Sequence, residues 1–344
     1  MDLENIVNRY DRQERIEGWD QERLDSARIA VIGTDILANF TAVTLSSLGF
    51  GNIEVYGHGK VDLELANYRR DDCLPDYSGG FLYFGSRPGD TKAEAISDFV
   101  KRLNPLVETY GINIDLCRQG NMNILGDPDI LIDTTNDPAS KITAIEYASA
   151  HNIPMVSMSS SDSDAKVGFF DPESFDEQMI RNIVFAEYNG KRQGTSTSQV
   201  ISALGVDEAR KYLMPIGNEN PLDDIVIYNL QSKKRFDNAQ DMQVGAPDLH
   251  GKSLVMIGAG ALGNFLALDM VLNNIGELYI VDDDDIESTN LNRQVWFYDS
   301  VGEYKAAALV DKLKRINPRV SFRYAIARIE PEAESFFSET DMDL

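Results

Sequence analysis

Leu254-Val-Met-Ile-Gly258-Ala-Gly260-Ala-Leu-Gly263 opens the stretch whose reading decides the fold. Four apolar residues run into three glycines at GxGxxG spacing, and an apolar, helix-like segment follows. A second apolar strand, Leu278 to Val281, ends in the acidic run Asp282 to Asp285. Asn290-Leu-Asn-Arg293-Gln294, Lys305 and Asn317-Pro318 come after it. Strand, glycine turn, helix and a strand ending in an acid make a mononucleotide-binding unit. The first glycine permits the tight turn, the second lets backbone approach phosphate, and the third lets helix pack on strand. The helix start then offers free N–H groups to an anion. Asp282 lies about 20 residues beyond the glycines, where a carboxylate can bind ribose hydroxyls. Arg293 and Lys305 add two cations on the phosphate side, and the acidic run beside them offers oxygen ligands suited to Mg²⁺. Plainer readings stand beside these: a ligand-free turn, a solvated face for Asp283 and Asp285, and a surface helix position for Lys305.

Working outward, the same pattern occurs earlier in the chain in weaker form. At an offset of 225, Ile32-Gly33 matches Ile257-Gly258, Leu37, Asn39 and Phe40 match Leu262, Asn264 and Phe265, and Gly51 matches Gly276. At an offset of 223, Glu64, Asn67 and Arg70 match Glu287, Asn290 and Arg293. At an offset of 213, Lys92-Ala93 matches Lys305-Ala306 and Asn104-Pro105 matches Asn317-Pro318. Two copies of one large unit follow, rather than a short-period solenoid. The boundary is expected near Gln231, dividing the chain into residues 1–232 (copy one) and 233–344 (copy two).

In copy one, strands are expected at Arg28–Ile32, Ile53–Tyr56, Asp129–Asp133, Ile153–Ser157, Val167–Phe170, Ile183–Tyr188 and Ile225–Leu230. Helices are expected at Thr34–Leu48, with Gly51 as its stop signal, at Lys92–Leu103 and at Ser196–Leu213. The polar run from Ser159 to Asp164 reads as a loop. This alternation argues for an α/β fold with mostly parallel sheets and helices on both faces. Copy one's turn is degenerate: Asp35 stands at the second glycine position, Ala38 at the third, and Gly57 at the place of Asp282. A carboxylate at the turn opposes phosphate, so copy one is not expected to bind nucleotide as copy two does.

At 344 residues and 43% hydrophobic content the chain can build one large or two ordinary cores. The net charge of -24 argues against nucleic acid and anionic membrane surfaces as partners. Cys73 and Cys117 form no CxxC pair, and three scattered histidines do not complete a zinc site within the chain. No apolar run approaches a membrane span, and the charged N-terminus carries no signal-peptide pattern. A cytoplasmic setting is the expectation.

The combination of GxGxxG, DxDxxxxxNLNRQ, GxxKA and INP, in this order, resembles the ThiF/MoeB/ubiquitin-activating adenylation family. The resemblance is strong over residues 251–320 and degenerate over most of residues 5–232. It implies two tandem Rossmann-like ThiF-type domains, the second truncated. It implies ATP-dependent activation of a protein's C-terminal carboxylate, with ATP and Mg²⁺ bound. The carboxylate would attack the α-phosphate and release pyrophosphate, and the partner would be a ubiquitin-like or sulfur-carrier protein ending in diglycine. Residue by residue, Gly258, Gly260 and Gly263 would form the nucleotide turn, Asp282 would hold the ribose, and Asp284 would stand in the acidic cluster. Asn290, Arg293, Gln294 and Lys305 would line the phosphates. The family's R-Y-x-R-Q element is intact as Arg9-Tyr10-Asp11-Arg12-Gln13, and its second arginine, Arg12, would reach the other half's ATP. Copy two has Asn238 at that position. This reciprocal loss resembles the single-chain ubiquitin-activating arrangement, a pseudo-dimer of inactive and active halves, with homo-oligomers also open. The plain alternative for Arg12 is a surface ion pair.

The chain departs from the family where the catalytic aspartate should follow a later strand. Copy one has Asn136 there, with Asp137 adjacent, and copy two reaches Asp341-Met-Asp343-Leu344 where that strand would begin. A truncated sheet would expose an apolar strand edge. Two other function classes stay open: an NAD- or FAD-binding oxidoreductase using the same turn, and a non-catalytic scaffold of pseudo-adenylation domains. The first leaves Arg293, Gln294 and Lys305 without a task.

Overall fold

Buried apolar runs bounded by turns become parallel strands here, and the amphipathic runs between them become covering helices. The structure, a computed structural model, describes residues 9–62, 76–118, 120–173, 182–230 and 249–329. These fall into two units. Residues 10–62 and 77–230 belong to one, and Arg9 with residues 249–329 to the other.

Copy one runs α1 (Asp11–Glu14), α2 (Gln21–Ser26), β1 (Arg28–Ile32), α3 (Ile36–Leu48), β2 (Asn52–Gly57), α4 (Lys92–Leu103) and β3 (Glu108–Asn113). It continues with β4 (Ile130–Asp133), α5 (Pro138–His151), β5 (Met155–Ser160), β6 (Asp164–Phe170), α6 (Thr195–Leu213) and β7 (Val226–Asn229). The seven strands form one sheet in the order β3-β2-β1-β4-β5-β6-β7. The first five are parallel, while β6 and β7 join antiparallel. Chain order reverses on either side of β1, which opens a crevice at the carboxyl ends of β1 and β4.

Copy two runs β8 (Ser253–Ile257), α7 (Ala261–Leu272), β9 (Glu277–Val281), α8 (Lys305–Ile316) and β10 (Ser321–Ala325). Its sheet is parallel in the order β10-β9-β8, the counterpart of β3-β2-β1. The repetition extends to single hydrogen bonds. Gly33 N donates to Tyr56 O at 2.8 Å, and Gly258 N donates to Val281 O at 2.8 Å. The Asn104 side chain donates to Ser46 O at 2.7 Å, and that of Asn317 to Val271 O at 3.2 Å. The Asn-Pro pair therefore ties the end of one helix to the end of its neighbour in both copies.

Three local expectations change. The stop of α3 is Gly49, left-handed at φ 84°, and Gly51 lies beyond it at the next strand. Residues 183–188 form no strand: Phe185 takes a left-handed backbone and Ala186–Tyr188 is a 3-10 turn. Their apolar side chains pack inward on the β4–β5 side instead of pairing in the sheet. Ser159 and Ser160 continue β5 and only Ser161 to Ser163 form the loop. The sequence reading also passed over β3, a half-buried strand, and α5, whose many small residues blur its period.

Candidate nucleotide-binding site

Copy two's turn is built by backbone geometry first. Gly258 has φ 97°, a region other residues avoid. A Cβ on Gly263 would meet the Gly258 carbonyl at 2.2 Å, so α7 can lie this close to the turn only with glycine there. Nothing lies within 4 Å of an added Cβ at Gly260, leaving open space over the helix start. The amides of Ala261 and Leu262 have no acceptor among the described residues. They form an exposed pair of donors where the helix dipole is positive.

Asp282 fastens this turn to the second strand. One of its oxygens accepts from Ala259 N at 2.6 Å and the other from Asp284 N at 2.9 Å. Asp284 in turn accepts from Lys305 Nζ at 2.6 Å, and its carbonyl accepts from Lys305 N at 3.0 Å. A bonded path thus runs from the glycine turn through Asp282 and Asp284 to Lys305. Lys305 itself is buried. The carboxylates of Asp282, Asp283 and Asp284 offer oxygens within 4.8 Å of one another, a spacing a divalent cation can bridge.

Trp296, just past the Asn290–Gln294 segment, is tied to the same turn through Asn264. Asn264 donates to Ala259 O at 2.9 Å and Gly260 O at 3.2 Å, while its carbonyl accepts from Trp296 N at 3.1 Å. Asn290 is buried and closes a capping box with Glu287, which shapes the tight turns that follow. Arg293 donates to Thr289 O at 2.8 Å and to Asn292 Oδ1 at 3.0 Å. Gln294 is buried, and its side-chain oxygen has no hydrogen-bond partner among the described residues. Arg9 packs in this unit as well, donating to Leu291 O at 3.1 Å. The sequence had singled out Arg12 of that element rather than Arg9. Arg12 lies exposed on α1 in the other unit.

The free helix amides, Lys305 and the clustered carboxylates fit a nucleoside triphosphate with a divalent cation.

Copy one repeats the frame with other contents. Asp35 and Gly260 share an extended backbone, with φ -80° and ψ -168° against φ -70° and ψ -157°. Lys92 pairs with Asp35 at 2.9 Å, and its Nζ also donates to Gly79 O at 3.2 Å. Phe81 N and Leu82 N bond Asn39 as Trp296 N bonds Asn264. Among the described residues, Ser78 and Gly79 meet copy one's turn, their carbonyls accepting from Ile36 N at 3.1 Å and Lys92 Nζ at 3.2 Å. A cleft of about 750 Å³ remains over this turn, with Gly57, Asn136 and Gln193 in its lining. Asn136 is used structurally: it donates to Ser160 O at 2.7 Å and Lys191 O at 3.1 Å, and accepts from Ser160 N at 3.2 Å. Asn67, Arg70, Cys73, Asn238, Asp341 and Asp343 lie outside the described residues.

The ThiF family profile matches residues 10–247 and again residues 238–343. The chain belongs to the ThiF family. Among its relatives is the ATP-dependent ubiquitin transferase-like protein Cap2 of Enterobacter hormaechei, 38% identical over 89 residues. That match spans 26% of this chain and 15% of Cap2. The adenylyltransferase and sulfurtransferase MOCS3-1 of Zea mays is 38% identical over 77 residues, 22% of this chain and 16% of that protein. Ubiquitin-activating enzyme E1 2 of Triticum aestivum is 30% identical over 128 residues, 35% of this chain and 12% of that enzyme. The matched stretches thus span about a sixth or less of these relatives. Escherichia coli MccB, solved with AMPCPP and MccA, superposes with TM-score 0.52 at 15% identity. It covers 66% of this chain and 67% of MccB, a likeness of fold. Among the described residues no helix is long and apolar enough to cross a membrane.

Proposed function

We propose that this ThiF-family chain takes part in ATP-dependent adenylation of the C-terminal carboxylate of a ubiquitin-like or sulfur-carrier protein. The observation that carries the reading is the bonded path from the open glycine turn through Asp282 and Asp284 to buried Lys305. In the reaction a carrier carboxylate oxygen forms a bond to the α-phosphorus of ATP. The bond from that phosphorus to the bridging oxygen breaks, and pyrophosphate leaves with the electron pair.

Such a reaction needs positioning and charge neutralisation more than covalent help from the protein. Gly258, Gly260 and Gly263 keep the turn open to phosphate, and Asp282 faces the ribose. Lys305 and Arg293 offset the phosphate charge, with Asn290 shaping the loop and Gln294 adding a polar group. Asp284, with its neighbours, would share Mg²⁺, which lowers the charge on the phosphates when bound. Arg12, carried by copy one, is proposed as the arginine supplied to this site, with copy one acting as the inactive half. The domain boundary near Gln231, a cytoplasmic setting and assembly into homo-oligomers belong to the same proposal.

ATP–pyrophosphate exchange tests it, run on the full gene product with diglycine-ended carriers. Exchange that depends on a carrier is the expected result. Tight ATP binding with no exchange for any such carrier would overturn adenylation and leave a nucleotide-binding scaffold.

A further inference from the structure

Copy one's helix start is occupied by the chain itself. Ile36 N donates to Ser78 O at 3.1 Å, and Leu37 N donates to Gln193 Oε1 at 3.0 Å. Gln193 is buried, and its Nε2 donates to Thr134 O at 2.7 Å, so both ends of the amide are fixed. The matching amides of Ala261 and Leu262 have no acceptor among the described residues. The lysine is also diverted. Lys92 N bonds Gly59 O at 3.1 Å as Lys305 N bonds Asp284 O at 3.0 Å, so Gly59 stands at the place of Asp284. The carboxylate partner of the lysine has moved from the strand end to the turn, where Asp35 holds Lys92.

We propose that copy one carries an internal ligand: at the base of its cleft Gln193 takes the helix-start amide and Asp35 takes Lys92, so that the donors phosphate would use are already occupied. A neutral amide oxygen takes the helix-start donor that phosphate would use, and a carboxylate takes the lysine. Gln193 and Asp35 thereby decide which half of the chain accepts a phosphorylated ligand, although both halves have the same frame.

The test is calorimetric titration with inorganic pyrophosphate, so it is independent of whether the chain adenylates anything. The parent carries Arg293→Ala and Lys305→Ala, which removes the two cations of copy two. This parent is expected to bind no pyrophosphate. Adding Asp35→Gly and Gln193→Ala opens copy one and is expected to create a single site, with an affinity at least about tenfold above the weakest that the titration detects. Asp35→Asn alone, at a half-exposed position where folding is secure, frees Lys92 and is expected to give a weaker but measurable gain. A parent that already binds pyrophosphate at copy one overturns the proposal. So does a folded, cooperatively melting set of opened variants that gains no affinity.

Discussion

The two copies share backbone, register and side-chain ties, yet one turn is open and the other closed. The difference lies in where carboxylates sit. In copy two they stand on the strand end, at Asp282 and Asp284, where they brace the turn from below and hold Lys305. In copy one the strand end carries Gly57 and Gly59, and the carboxylate is Asp35, inside the turn. The same lysine is therefore oriented in both, but only in copy two is the helix start left for a ligand. A second contrast concerns burial. Ile32 and Leu37 are buried under β4 and α6, while Ile257 and Leu262 are 57% and 89% exposed. Among the described residues β8 has no partner on its outer edge.

The largest expected effect tests what copy one's additional strands contribute. Lys141 of α5 is fully buried against Asp133, with Ser157 Oγ at 3.1 Å and Met158 O at 2.8 Å. Burial pushes its ammonium pKa down, against the pull of Asp133. Lys141→Ala leaves a buried carboxylate unpaired and should cost roughly 3–5 kcal/mol, read from denaturant unfolding of copy one. Joint replacement of Lys141 and Asp133 by apolar residues should recover most of that loss.

Next comes the lysine pair. Lys305→Ala should lower carrier-dependent ATP–pyrophosphate exchange by on the order of 10²–10³. Lys92→Ala should leave exchange within about twofold of the natural chain, since that lysine serves the closed turn. Equal losses from both would erase the functional contrast between the copies.

The first glycines separate the copies by stability. Gly33 has φ 121°, and an added Cβ would meet Thr134 Oγ1 at 2.3 Å. Gly258 is similarly left-handed but has nothing within 4 Å of that position. Gly33→Ala should cost about 3 kcal/mol from strain and overlap together, and Gly258→Ala about 1 kcal/mol from strain alone. Thermal melts of both variants would read the difference.

The smallest effect is at Asp137, which caps α5 through Ala139 N and Ser140 N. Burial alone would raise its pKa, but the Ser140 hydroxyl and the backbone amides outweigh burial and hold it below the ordinary 3.8. A depressed carboxylate stabilises the fold above its unfolded pKa and is lost as pH falls through the folded value. Asp137→Ala should cost about 1 kcal/mol near neutrality. Measured as paired melts, that cost should shrink only below about pH 4.

The sequence by itself carried the repeat, the parallel α/β architecture and copy two's turn. Each of these rests on short-range rules: apolar period, glycine spacing, and an acid at a strand's end. It also marked Asp35 as foreign to a phosphate site, because charge type is readable without coordinates. Tertiary structure alone decided that Asp35 captures Lys92, 57 residues away, and that Gln193 reaches the amide of Leu37, 156 residues away. The contact of Ser78 and Gly79 with copy one's turn was decided in the same way. The inward packing of residues 183–188 likewise depends on distant partners, since an apolar run reads alike whether it pairs in a sheet or fills the core beside it. Hydrogen-bond partners brought together by the crossovers leave no periodic trace in the chain, so the filling of a cradle is visible only once the strands have set its walls.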